Sequence, residues 1–82
     1  MLQLTSFEQL NIEVERCKAD FEILNNSLKS SSLDFLMNLW MSLIFCAVYK
    51  CVYGQSISID MFYFTDNENQ IKIEEIKLSD TE

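Results

Sequence analysis

The stretch Asp34–Cys51, DFLMNLWMSLIFCAVYKC, decides how the chain is interpreted, because it is apolar enough to be a membrane span or a core helix. Only 15 residues separate Asp34 from Lys50, and as a helix they span about 22 Å against a hydrocarbon thickness of about 30 Å. A longer helix would include Lys50 and would still enclose Asn38 and Ser42, and its flanks lack the cluster of basic residues that orients a membrane span. We therefore expect the stretch to be a core helix and do not expect a membrane location.

On a helical wheel the stretch separates into two sides, an asymmetry that a helix surrounded by lipid does not need. Asp34, Asn38, Ser42 and Tyr49 lie along one narrow arc. The opposite side is apolar and consists of Leu33, Leu36, Trp40, Leu43, Ile44, Ala47 and Cys51. We expect this apolar side to form the centre of the core.

Two helices are predicted, from about residue 6 to 29 and from about residue 32 to 53. The pair Ser6/Gln9 has the spacing of a capping box, and the apolar residues after it alternate at intervals of three and four. These residues are Phe7, Leu10, Val14, Cys17, Phe21, Leu24 and Leu28, and the residues between them are mostly charged or amide and expected in solvent. A serine N-cap near Ser32 and a left-handed stop at Gly54 bound the second helix, which favours an antiparallel helical hairpin.

Beyond Gly54 the apolar residues recur with a period of two, which is typical of β-strands. We predict strands at about 56–64 and 71–78, joined by the polar turn TDNENQ as a β-hairpin. The alternation slips near Glu74 and Glu75, which a bulge or a short terminal helix would explain. The predicted fold is a single α+β domain over residues 1–82, with element order α-α-β-β.

The composition excludes several classes of function. The 82-residue chain carries a formal charge of −7, no histidine, one glycine and three cysteines. Without histidine or a glycine-rich loop we predict no catalytic residue, no cofactor and no metal site. The negative charge argues against direct binding to nucleic acid. The cysteines lie within apolar patterns and no signal segment opens the chain, so we expect the cytoplasm.

The second helix is more apolar than one helix and a two-stranded sheet can cover. Phe35 and Phe45 lie outside its main apolar face, and Ile12, Ala19 and Ile23 recur on the back of the first helix. We therefore predict a homodimer or a stable partner, with these five residues as the candidate oligomer interface.

Charge gives the other functional expectation. The residues after Gly54 carry seven acids against two lysines, and Asp66, Glu68, Glu74 and Glu75 are the candidate partner-binding residues. The favoured hypothesis is a small acidic module that binds a basic surface on another protein, as inhibitors encoded by phages or mobile elements do. The alternative is an assembly subunit that homo-oligomerises through apolar helix faces, with the charge serving only solubility. The third hypothesis is a small membrane protein.

Overall fold

A computed structural model describes residues 6–28, 32–76 and 78 of the chain. Helix α1 spans Ser6–Ser27, α2 spans Leu33–Tyr53 and α3 spans Asn67–Glu75, and a short 3₁₀ helix, Ile59–Met61, lies between α2 and α3. The described residues contain no β-strand. This part of the protein is therefore all-α, a hairpin of α1 and α2 followed by a short helix.

The ends of α2 are fixed by local signals in the sequence. At its start, the Ser32 hydroxyl accepts a hydrogen bond from the backbone N–H of Phe35 at 3.1 Å. At its end, Gly54 adopts φ 70° and donates its N–H to the carbonyl of Lys50 at 2.8 Å. Glycine is favoured there because a left-handed residue with a Cβ is strained. The predicted end of α1 at residue 29 lies outside the described residues.

Helix α1 packs against α2, but its buried side is wider than the apolar pattern predicts. Cys17 and Leu24 of that pattern are buried, whereas Phe7 is 72% exposed. Glu13 and Asp20, expected in solvent, are buried as well. The reason is that Ile57, Ile59 and Leu78, from the chain after α2, line the same small cavity as these two acids and cover that side of α1.

The buried face of α2 consists of residues four apart, namely Phe35, Leu39, Leu43 and Ala47. Leu43 and Ala47 belong to the predicted apolar side, but Leu33 of that side is 72% exposed. The face is rotated because Phe64, from the segment before α3, packs against Phe35 with ring centroids 5.3 Å apart. The chain after α2 thus selects which apolar residues of α2 are buried.

The predicted strands at 56–64 and 71–78 are wrong, and so is the α+β class that depends on them. Residues 55–58 have no regular structure, Ile59–Met61 is a 3₁₀ helix, and Asn67–Glu75 is an α-helix. In the predicted turn, Asp66 is the N-cap of α3, and its Oδ1 accepts the backbone N–H of Asn69 at 3.1 Å. The cap makes this segment a helix start instead of a hairpin turn.

The isoleucines of α3 follow the helical period and not the alternation that predicted a strand. Asn69 and Ile73, four residues apart, are almost fully buried, whereas Ile71 is 56% exposed. Residues four apart lie on one face of a helix, and residues two apart do not. Ile71 and Ile73 therefore lie on different faces of α3, and not on one face of a strand as the alternation predicted.

The side chain of Gln70 makes hydrogen bonds to the backbone of segment 62–64 that a neighbouring strand would make in a sheet. Its Oε1 accepts the backbone N–H of Phe64 at 2.7 Å, and its Nε2 donates to the carbonyl of Phe62 at 3.1 Å. Gln70 itself is buried. A single amide thus satisfies a donor and an acceptor of an extended segment and ties that segment to α3.

We expect Gln70→Leu to lower the free energy of unfolding by about 1–2 kcal/mol, because two backbone groups lose their partner. Hydrogen exchange should also speed up at the Phe64 amide. Gln55→Leu, the same change at an exposed residue, is the matched control and should have little effect. Equal protection of Phe64 in both variants, measured by hydrogen exchange, would show that the amide does not hold the segment.

Candidate interaction surface

One side of α2 carries a continuous row of exposed apolar side chains. We call this row the apolar stripe, and it consists of Leu33, Met37, Met41, Phe45, Val48 and Val52, which are between 44 and 72% exposed. At 3.6 residues per turn these positions fall within roughly 120° of arc, opposite the buried residues Leu39 and Leu43. Isolated exposed apolar residues are ordinary, but a row of six along one helix face is typical of an interaction surface.

The segment before α3 forms a wall beside the apolar stripe. Together they enclose an open groove of about 680 Å³, to which the stripe contributes Met41, Phe45 and Val48 and the wall contributes residues 62–65. Phe45 packs edge-on against Phe62, with ring centroids 5.8 Å apart. Tyr63, on the wall, is 94% exposed. The groove is therefore an apolar cleft with aromatic side chains on both sides.

The apolar stripe is uncharged over most of its length. Asp34 and Lys50 are the two charged residues of α2. Asp34 is exposed at the first turn of the helix, where a carboxylate suits the helix dipole. The Nζ of Lys50 lies 3.4 Å from Oε2 of Glu13 on α1, so its charge is directed toward the interior of the hairpin.

Glu13 is the centre of a buried ionic cluster between the helices. Its side chain is 1% exposed, and Oε1 lies 2.9 Å from Nη1 of Arg16, although this contact is not aligned as a hydrogen bond. Arg16 and Lys50 remain 33% and 29% exposed. The cluster borders a cavity of about 30 Å³, room for roughly one water, which is also lined by Cys17 and Asp20.

The cysteines do not point to redox or metal chemistry at this cluster. All three are thiols, and the Sγ of buried Cys17 donates to the backbone carbonyl of Leu43 at 3.3 Å. Among the described residues, no group of three or more histidine, cysteine or acidic side chains is placed to hold a metal ion. The cluster is therefore best explained as the polar part of the contact between α1 and α2.

The candidate interface residues lie in three different environments. Phe45 is 53% exposed in the groove, whereas Phe35 is 5% exposed and packs inside the chain. Ile12 and Ile23 are 43% and 45% exposed, and Ala19 is exposed as well. The same outer face of α1 also carries three glutamates spaced seven residues apart, Glu8, Glu15 and Glu22. The surface of α1 is therefore mixed, and that of α2 is apolar.

The four acidic candidates are brought together on α3 and are all exposed. Asp66 caps the helix, and Glu74 accepts a hydrogen bond from Nε2 of Gln70 at 3.4 Å. Glu68 and Glu75, seven residues apart, share one face of the helix. Asp66 and Glu74 therefore also make hydrogen bonds within this segment, and the outer face of α3 is acidic.

By length and composition alone, α2 meets the requirement for a membrane span, with a mean hydropathy of 1.7 over its most apolar window. Only 22% of that window is buried in the structure, less than expected for a core helix. However, α1 packs against α2 and carries seven charged residues. Placing the hairpin across a bilayer would bring those charges into the hydrocarbon, where each is costly.

Comparison of the chain with protein-family models, with curated proteins and with solved structures finds no match.

Sequence reasoning found the excess of apolar surface on α2 but missed most of the residues that form it. Met37, Met41 and Val48 were not predicted as interface residues. The signal was present, since Leu33, Met37, Met41 and Phe45 are each four residues apart and continue with Val48 and Val52. The buried Glu13 and Asp20 had no such signal, because the chain that covers them is distant in sequence.

Proposed function

We propose that this protein is a non-enzymatic assembly module that self-associates through the apolar stripe of α2. The observation that supports the proposal is the exposure of six apolar side chains in one row. Taking roughly 150–200 Å² for each fully exposed side chain, the stripe leaves on the order of 600 Å² of surface in water, at the upper limit for the largest apolar patch of a monomer.

A second copy of this chain is the occupant that fits the stripe best. A stable interface buries about 800 Å² on each partner. The stripe alone approaches this area, and exposed Met61 and Tyr63, at 70% and 94%, extend the apolar surface beyond it. The stripe lacks charge apart from Asp34 at its end, so two acidic copies can meet there with little repulsion.

A lipid surface fits the same stripe less well. Interfacial helices place lysines and arginines beside their apolar face to bind anionic headgroups. Here the lysine of α2 is paired with Glu13, and the formal charge of the chain is −7. The electrostatic contribution to binding of an anionic membrane is therefore repulsive.

Sedimentation velocity of Phe45→Asp tests the proposal. The wild type is expected to show a concentration-dependent dimer, and the aspartate should weaken it by at least about tenfold, because a carboxylate would be desolvated in the groove. Ile23→Asp is the matched control, since Ile23 is 45% exposed on the outer face of α1 and Phe45 is 53% exposed. This control should leave the dimer intact.

Two results would contradict self-association through α2. One is a wild-type chain that remains monomeric at high concentration; if that monomer also floats with phosphatidylcholine vesicles, lipid is the occupant. The other is an equal loss of dimer in Phe45→Asp and Ile23→Asp, which would move the interface away from α2.

A second candidate function is binding of a basic protein surface through α3. The observation that favours it is that Glu68, Glu74 and Glu75 are all exposed on a helix of nine residues, with Lys72 as the one base among its described residues. Clustered charge of one sign raises the rate of association with the opposite sign. This surface shares no residue with the apolar stripe, so both functions can exist in one chain.

The test replaces these three glutamates by lysine and leaves Asp66 in place, because Asp66 caps the helix. Binding to immobilised polylysine should then be lost at a lower salt concentration. The control reverses three acids of α1 (Glu8, Glu15 and Glu22), which gives the same net charge. Identical salt elution of the two triple variants would show that only the total charge matters.

A further inference from the structure

We infer that two copies of this chain pair α2 against α2 in an antiparallel orientation, with Met37 opposite Val48 and Leu33 opposite Val52. The inference rests on the proposed self-association and adds its direction and register. It is carried by the order of residues along the apolar stripe.

The stripe has almost the same spacing when it is read in either direction. From Leu33 to Val52 its intervals are four, four, four, three and four residues. A two-fold axis requires that a residue i of one copy contacts j of the other while j contacts i. An antiparallel register centred between Met41 and Phe45 meets this requirement and places stripe residues opposite stripe residues over the whole length of α2.

The side-chain sizes favour this orientation over the parallel one. The first half of the stripe has the long side chains Leu33, Met37 and Met41, and the second half ends in the short Val48 and Val52. Antiparallel pairing sets long against short, so the two helix axes can stay at a constant separation. Parallel pairing would set methionine against methionine at one end and valine against valine at the other, which leaves a gap.

Charge favours the same orientation. Asp34 is exposed in the first turn of α2, beside Leu33. In a parallel pair the two Asp34 carboxylates would lie side by side at the edge of the interface, and like charges in that position oppose association. In the antiparallel pair they lie at opposite ends of the interface, separated by the length of a 21-residue helix.

The centre of the antiparallel pair brings Met41 of each copy to Phe45 of the other. Both residues line the groove, and a methionine sulfur against an aromatic ring is a favourable contact. Tyr63, on the wall of the groove, is 94% exposed and stands beside this centre. The groove is therefore the place where the partner helix crosses, and its aromatic wall borders the two-fold axis.

Disulfide trapping tests the orientation. In a chain whose three cysteines are replaced by alanine, Met37→Cys and Val48→Cys are prepared separately, oxidised alone and oxidised as a mixture. Facing positions of packed helices come within reach of a disulfide, and positions at opposite ends of the interface do not. The mixture should form cross-linked dimer at least about tenfold faster than either variant alone.

A charge-pairing experiment needs no change of the cysteines and covers the case in which the alanine background fails to fold. Met37→Lys and Val48→Glu should each weaken the dimer about tenfold or more, and mixing them should restore it, because lysine then faces glutamate. In a parallel pair the same mixture only removes the lysine–lysine and glutamate–glutamate contacts, so it should restore less than Met37→Lys mixed with Met37→Glu, whereas in the antiparallel pair it should restore more.

The outcomes separate this inference from the proposed function. If sedimentation shows a dimer but each cysteine variant cross-links with itself and the mixture adds nothing, the pairing is parallel and the inference is wrong, while self-association stands. If sedimentation of the unmodified chain shows no dimer, the proposed function is wrong, and this result does not depend on the cross-linking experiment.

Discussion

Replacing Leu39 by alanine should lower the free energy of unfolding by about 3 kcal/mol, within the range found for fully buried leucines. Leu39 has no exposed surface and lies in the core cluster with Leu24, which is also fully buried. A chain of 82 residues has roughly 5–8 kcal/mol of stability in total. Losing about 3 kcal/mol of it should move the midpoint of urea unfolding far toward zero denaturant.

The same substitution on the other side of the same helix is the control. Leu33 is 72% exposed, so Leu33→Ala should change the stability by less than about 0.5 kcal/mol. Both variants are compared by urea unfolding at a protein concentration too low for association. Equal losses at the two positions would mean that α2 does not bury the face that contains Leu39.

Replacing Lys50 by methionine should cost about 2 kcal/mol, because it removes one of the two cations beside a carboxylate that is 1% exposed. Arg16 remains 2.9 Å from Glu13, which keeps the loss below that of a fully stranded charge. The double variant Glu13→Leu/Lys50→Met should recover most of the stability, since an apolar pair needs no desolvation. Urea unfolding of the single and double variants measures both effects.

Lys18→Met is the matched control for the ion pair. Lys18 lies 3.1 Å from Glu15, but the two side chains are 60% and 71% exposed. Exposed pairs contribute little, so the change should stay within about 0.5 kcal/mol. A loss at Lys18 as large as the loss at Lys50 would contradict the assignment of the Glu13 cluster to the buried contact.

The hairpin could be predicted from the sequence because its signals are local. Ser32 and Gly54 mark the ends of α2, and the regular spacing of apolar residues marks the length of α1. The C-terminal segment was predicted incorrectly because two signals of opposite meaning overlap there. The alternation Ile71, Ile73 favours a strand, and the Asp66 cap favours a helix. The cap prevailed, because the helix also buries Asn69 and Ile73 on one side.

The candidate surface could be predicted only in part, because burial depends on which distant segment covers each residue. Phe45 was assigned to an interface, and it lines the groove. Phe35 was assigned to the same interface but is covered by Phe64, and nothing in its neighbourhood in sequence indicates that contact. Glu13 has a similar explanation, since Leu78 and Lys50 reach it from far along the chain.

The side-chain amide of Gln70 connects the acidic helix α3 to the groove beside α2. It belongs to the helix that carries the exposed glutamates, and it holds the backbone of residues 62–64, which form one wall of the groove. The wall of the groove is therefore held in place by a residue of α3, and we expect unfolding of α3 to displace that wall.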